Sequence, residues 1–192
     1  MDYFDRALEI LKSYESLGVR VLDDGTRLIG HVPHIAPEAW LHDIYPPLKN
    51  DEIRQIESDI EMSIPAVFSS FLSRSNGLYT FSGCMDICGL RKSFSREGNA
   101  AWQPFSIRTP NVDERPRNAR PTHFFVGGYG SDGSYLYIDL GSLRVYRCAS
   151  RSVRPLHEWP TFEVMLESEV RRLSTLFDRQ GRLLNPSLRT TP

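Results

Sequence analysis

Long apolar runs, a basic start and an even set of cysteines are all missing from this chain of 192 residues, and each absence closes off a class of protein. No stretch approaches the roughly eighteen apolar residues that a membrane-crossing helix requires. The N-terminus, with Asp2, Asp5, Arg6 and Glu9, lacks the charged start and apolar centre of a secretory signal, so the expected location is cytoplasmic. Cys84, Cys88 and Cys148 are odd in number, which argues against a disulfide framework and fits a reducing compartment. Linkers are missing too. With 40% hydrophobic residues and no Ser/Gly-rich or charged divider, residues 1–192 are expected to form one domain around one core.

Net charge is also small, at −1, but it is unevenly spread. Residues 1–90 carry 14 acids against 7 bases, residues 91–140 carry 5 against 7, and residues 141–192 carry 5 against 9. An acidic front half disfavours direct nucleic-acid binding there and suits a basic partner, although charged helix faces also serve solubility alone.

What is present begins at Leu48. Ile53, Ile56 and Ile60 recur at i, i+3 and i+7, which predicts an amphipathic helix with Asn50 as its cap and Asp51 and Glu52 in the first turn. Pro65 is expected to start a second helix that buries Val67, Phe68, Phe71 and Leu72, with Asn76-Gly77 as its stop. Further on, Phe124 to Val126, Tyr135 to Asp139 and Leu143 to Tyr146 predict strands. They are separated by a glycine-rich turn from Gly127 to Gly133 and by Gly141-Ser142.

The run Ile56-Glu57, Ile64-Pro65, Phe71-Leu72 and Asn76-Gly77, followed by Gly130, Asp132, Gly133, Ser134, Tyr135, Tyr137, Ile138 and Asp139, resembles the SUKH superfamily, also called the SMI1/KNR4 domain. The resemblance covers about residues 48–178, with an insertion at about 91–123. It implies an α+β fold with a mainly antiparallel sheet packed against helices. It also implies a non-catalytic binding protein: a bacterial immunity protein that neutralises a cognate toxin, often a nuclease. The scarcity of lysine, 3 against 20 arginines, is common in GC-rich bacterial coding and favours that branch. The alternative within the family is a regulatory or scaffold module that binds a signalling or cell-wall protein.

The flanks supply supporting elements. Phe4, Ala7, Leu8, Leu11 and Tyr14 predict an N-terminal helix capped by Asp2 and stopped at Gly18, with short strands at Val19 to Leu22 and Arg27 to His31 completing residues 1–47. Phe162, Met165, Leu166, Val170, Leu173 and Phe177 predict a C-terminal helix over residues 161–178. Between the two family blocks, Arg91 to His123 holds four prolines and seven basic residues and reads as a long surface loop or a partly ordered insertion.

Catalytic and metal patterns are thin. The Gly127 to Gly133 turn has no Lys-Ser/Thr after it, and a strand follows where a phosphate-binding loop needs a helix N-terminus. Ser131 lacks the strand-to-helix turn of a nucleophile elbow. His31, His34 and His42 are separated by Pro33 and Pro37 and read as surface or capping histidines. Cys84 and Cys88 read as core cysteines sharing one face of a strand. No catalytic residue, cofactor or metal is therefore expected. A partner is expected on Glu52, Asp59 and Asp86, with Asp132 and Tyr135 at the adjacent turn.

Overall fold

The computed structural model describes residues 2–95 and 97–192. Asp2 opens helix α1 (Tyr3–Lys12) by accepting the Asp5 N–H at 2.9 Å, and Phe4, Ala7 and Leu11 are its buried face. The helix stops at Ser13, whose hydroxyl donates to the Ile10 carbonyl at 2.6 Å. A single 3-10 turn, Glu15–Leu17, then carries the chain to Gly18, so Gly18 ends that turn and not the helix.

Among the described residues, nine strands follow one another across a single sheet in chain order, every pairing antiparallel. They are β1 (Val19–Val21), β2 (Arg27–His31), β3 (Trp40–Ile44), β4 (Leu78–Thr80), β5 (Met85–Ile87), β6 (His123–Gly128), β7 (Tyr135–Asp139), β8 (Val145–Cys148) and β9 (Pro155–Trp159). The architecture is thus α+β with an open antiparallel sheet. Strands β3 and β9 carry no clear sequence signal, the latter being a largely exposed edge strand that begins on a proline, where no ladder N–H is lost. Strand β8 starts later than the Leu143 to Tyr146 pattern implies, because Leu143 takes φ +58° in the preceding turn.

Helices α2 (Asn50–Ile60) and α3 (Ala66–Leu72) fill the connection between β3 and β4, and α4 (Phe162–Ser174) follows β9. Ile53, Ile56 and Ile60 are buried, as their spacing requires. The cap of α2 is Lys49 and not Asn50: the Glu52 carboxylate reaches back to the Lys49 N–H at 2.8 Å, which satisfies one orphan donor of the first turn. Pro65 likewise stands one place outside α3, where its carbonyl accepts the N–H groups of Phe68 and Ser69, both at 2.9 Å. Val67 is only half-buried, while Phe68, Phe71 and Leu72 enter the core.

Asn76-Gly77 is not the end of α3, which is capped at Ser73. The Asn76 side chain imitates a peptide: its Oδ1 accepts the Leu90 N–H at 2.6 Å and its Nδ2 donates to the Leu90 carbonyl at 2.8 Å. Asn111 does the same for Phe125, accepting its N–H at 3.0 Å and donating to its carbonyl at 2.8 Å.

Alternation along the strands sorts two faces. Phe124 and Ile138 join the helices in the main core, while their neighbours Phe125 and Tyr137 form a small second cluster with Cys148 on the other face. Phe4, Phe68, Phe71, Phe124 and Phe162 are linked by ring contacts of 5.3–5.7 Å in the main core.

The described residues of the Arg91 to His123 segment pack against both the sheet and α2: Ile107 joins the main core, and Arg108 donates to the Asp59 carbonyl at 2.6 Å. Within it Pro104, Ile107, Pro110, Asn111 and Pro116 are buried, and Arg115 sets its guanidinium 5.5 Å from the Phe125 ring centre. Of the two expectations, a free surface loop is the wrong one: Pro104, Pro110, Pro116 and Asn111 are buried and dock the segment as an insertion on the body of the fold.

Candidate functional site

One row of residues crosses the second face, each directly opposite the next: Asp43, Tyr79, Asp86, Gly128, Tyr135 and Cys148. Directly opposed residues of an antiparallel pair point to the same side. Gly128 puts no side chain between Asp86 and Tyr135, and a gap opens there. A Cβ at Gly128 would stand 2.7 Å from the Ser134 carbonyl oxygen and 3.6 Å from the Tyr135 ring, so the close strand approach requires glycine as well. Gly127 and Gly128 therefore belong to β6, and the tight turn of the hairpin begins only after them.

The docked segment roofs this gap into a cleft of about 330 Å3. Its walls include Phe105, Pro110 and Tyr135; Asp86 and Cys88 line it from β5 and just beyond, and Glu114 stands at the mouth. Phe105 is 55% exposed, a large aromatic ring presented at the edge. Tyr135 donates its phenol to Glu114 at 3.3 Å. Among the described residues, neither Asp86 nor Glu114 has an ion-pair partner, and no Lys, Arg or His lines the cleft. Burial pushes the Asp86 carboxyl up to about 7.

The five expected partner residues fall in three places. Asp86 and Tyr135 line the cleft together. Asp132 sits at the adjacent turn and is committed: its carboxylate accepts the Ser134 N–H at 2.9 Å and the Arg147 guanidinium at 2.6 Å. Burial raises that carboxyl, but these two partners outweigh it and hold it below the usual range. Glu52 and Asp59 lie on α2, outside the cleft. Glu52 caps the helix and pairs with Lys92, contacts that hold its carboxyl low, with the Lys49 N–H the largest cause. A charge reversal at Glu52 therefore perturbs the fold as well as the surface. Asp59 is exposed and accepts from Gln55 at 2.7 Å. Part of the acidic front half is neutralised in the same way, Glu15 by Arg27 at 3.0 Å and Asp2 and Asp5 by Arg74.

Glu114 and Phe105 were not legible, because the segment that carries them has no periodicity; the one sequence signal was the glycine pair inside a strand pattern, a mark of close approach.

The histidines and cysteines do not assemble. His42 is wholly buried against Tyr14 and Phe81, its Nδ1 accepting the Phe81 N–H at 3.1 Å, so it is a core residue and not a surface one. Burial drives its pKa down to about 3. His31 is held by the Pro37 carbonyl at 2.9 Å and lies beside Trp40. Cys84 and Cys88 flank β5, one on each side, and do not lie within it; burial pushes both thiols up, away from nucleophilic character. Among the described residues, no three His, Cys, Asp or Glu side chains are grouped to hold a metal ion. A larger concavity of about 890 Å3 lies between α1 and α4, but it is open and mixed in charge, with Arg6 paired to Glu167 at 2.7 Å.

Three buried groups set an expected pH response. Asp43, beside His42 on β3, is also pushed up to about 7 by burial, opposed only by the Tyr45 hydroxyl. From about pH 4 to 6.5 the folded chain keeps protons on Asp43 and Asp86 that the unfolded chain has shed. It also lacks the proton that unfolded His42 gains. These three groups leave the folded state about one proton richer, so stability should fall with rising pH by at most about 1.4 kcal/mol per unit, and less steeply toward pH 6.5, where His123, also held low by burial, opposes them. Urea midpoints across that range check this, and Asp43→Asn should flatten or reverse the slope. A wild-type midpoint that climbs steadily from pH 4.5 to 6.5 would contradict the placement of these groups.

Comparison of the chain with protein-family models and with curated proteins returns no match. No helix among the described residues is long and apolar enough to cross a membrane.

Proposed function

We propose that the protein is a non-catalytic binding protein of SMI1/KNR4 type, an immunity protein that neutralises a cognate bacterial toxin in the cytoplasm by direct contact. The toxin domain is basic, as a nuclease surface is. One observation carries the reading: an apolar-walled cleft on the sheet face away from the main core presents two acids without cationic partners beside an exposed aromatic ring. Such a surface complements a basic protein and steers its approach, and an aromatic beside charged groups is a common binding anchor. The residues that carry the family resemblance fall on α2, just before and on α3, just before β4, and on the β6–β7 hairpin that forms one side of the cleft.

The test is co-expression with the product of the reading frame immediately upstream. The expected result is growth rescue and a complex that survives purification. Equal killing with and without this protein would reject the immunity reading. A stable complex with a non-toxic product would favour the regulatory alternative.

A further inference from the structure

The cleft on the second face has a shape and chemistry that narrow what enters it. At about 330 Å3 it is near the small end of ligand pockets, enough for a side chain and its waters. Two carboxyl groups face it, Asp86 from within and Glu114 from the mouth, and the rest of its lining is largely apolar or aromatic, with Phe105, Pro110 and Tyr135. Asp132 at the hairpin turn and Glu52 and Asp59 on α2 are already occupied by Arg147, Lys92 and Gln55. Enclosed but without a basic partner, Asp86 carries a cost that an incoming cation would relieve.

We propose that the cleft is an arginine-capture site, receiving one arginine side chain of the basic protein partner, with its guanidinium between Asp86 and Glu114 and its stem against Phe105 and Tyr135. This rests on the reading of the protein as a binder of a basic partner and names the group that is bound. Arginine suits the site better than lysine. Its guanidinium is more weakly hydrated, stacks on aromatic faces and offers several donors to two acceptors, whereas an ammonium keeps its water. Glu114 is already held in place by the Tyr135 phenol, so the mouth of the site is partly organised before binding.

The proposal is tested without the partner. The full chain, isotope-labelled, is titrated at pH 8 with N-acetyl-argininamide, and backbone shifts are followed at Gly128, Tyr135 and Thr109. N-acetyl-citrullinamide, which has the same shape without the charge, and N-acetyl-lysinamide serve as comparisons. Saturable shifts confined to the cleft are expected with the arginine probe, with binding at least about tenfold weaker for citrulline and weaker also for lysine. Asp86→Asn should weaken the arginine probe several-fold. Glu114→Gln, an isosteric change at an exposed position that keeps an acceptor for the Tyr135 phenol, should do so as well. Equal shifts from arginine and citrulline, shifts unchanged in both variants, or no saturable shift at all would overturn the proposal. Because the probe is a small molecule, its failure is distinct from the failure of the toxin reading. A complex with the neighbouring gene product that ignores both Asp86→Asn and excess probe would leave the immunity reading standing and remove this site from it.

Discussion

Gly77→Val is expected to destabilise the fold by about 3 kcal/mol or more, seen as a large drop in the urea midpoint. Gly77 has φ +92°, a left-handed backbone that a β-branched residue adopts only with strain. Steric overlap costs more than that strain. A Cβ there would stand 2.5 Å from the Ile87 carbonyl oxygen and 3.1 Å from the Pro104 ring, so β5 and the segment docked over it would both have to shift. Gly133 offers the contrast: its φ is +65°, but a Cβ would meet only the Ser150 side chain, at 3.5 Å. Gly133→Ala should therefore cost about 1 kcal/mol. Gly77→Val within about 1 kcal/mol of the wild type would show that the strands do not approach as described.

The second large effect is expected at Glu169. It is 2% exposed and accepts from the Tyr129 hydroxyl at 2.7 Å and from the Arg172 guanidinium at 2.8 and 3.0 Å. Glu169→Ala strands a phenol that is 1% exposed and leaves a half-buried guanidinium without its anion, a loss of about 3–5 kcal/mol. Glu169→Gln, which keeps an acceptor for Tyr129, should lose less. In a double-mutant cycle, adding Arg172→Met to Glu169→Ala should recover part of the loss, because no uncompensated charge then remains. A Glu169→Ala protein that melts like the wild type would contradict the network. The network also bears on the cleft, since Arg147, 5.7 Å from the Tyr129 ring centre, ties the hairpin turn to it through Asp132.

The elements that could be read from sequence are those whose period is complete within one stretch. Ile53, Ile56 and Ile60 announce α2, and Tyr135 to Asp139 announce β7, because local alternation already says which side is buried. Boundaries were less legible. Lys49 displaced Asn50 as the cap because the Glu52 carboxylate, three residues on, serves the backbone N–H whatever side chain stands there. Asn76-Gly77 has the composition of a helix stop, yet both residues act across the sheet, and nothing local distinguishes a left-handed cap from a strand contact. The site was half legible for the same reason. Asp86 and Tyr135 lie on recognisable strands, but they become neighbours only through the register with Gly128, and Glu114 and Phe105 join them only when an aperiodic segment folds over the sheet.

The central claim is that binding occurs at this cleft. Its most direct test is the affinity of the purified complex with the upstream gene product for three proteins: wild type, the double variant Asp86→Asn/Phe105→Ala, and Asp59→Lys on α2. Loss of at least about tenfold in the cleft variant, by faster dissociation, is expected, with Asp59→Lys changing chiefly the association rate and its salt dependence. A cleft variant that binds like the wild type while Asp59→Lys abolishes the complex would contradict the claim and place the partner on α2.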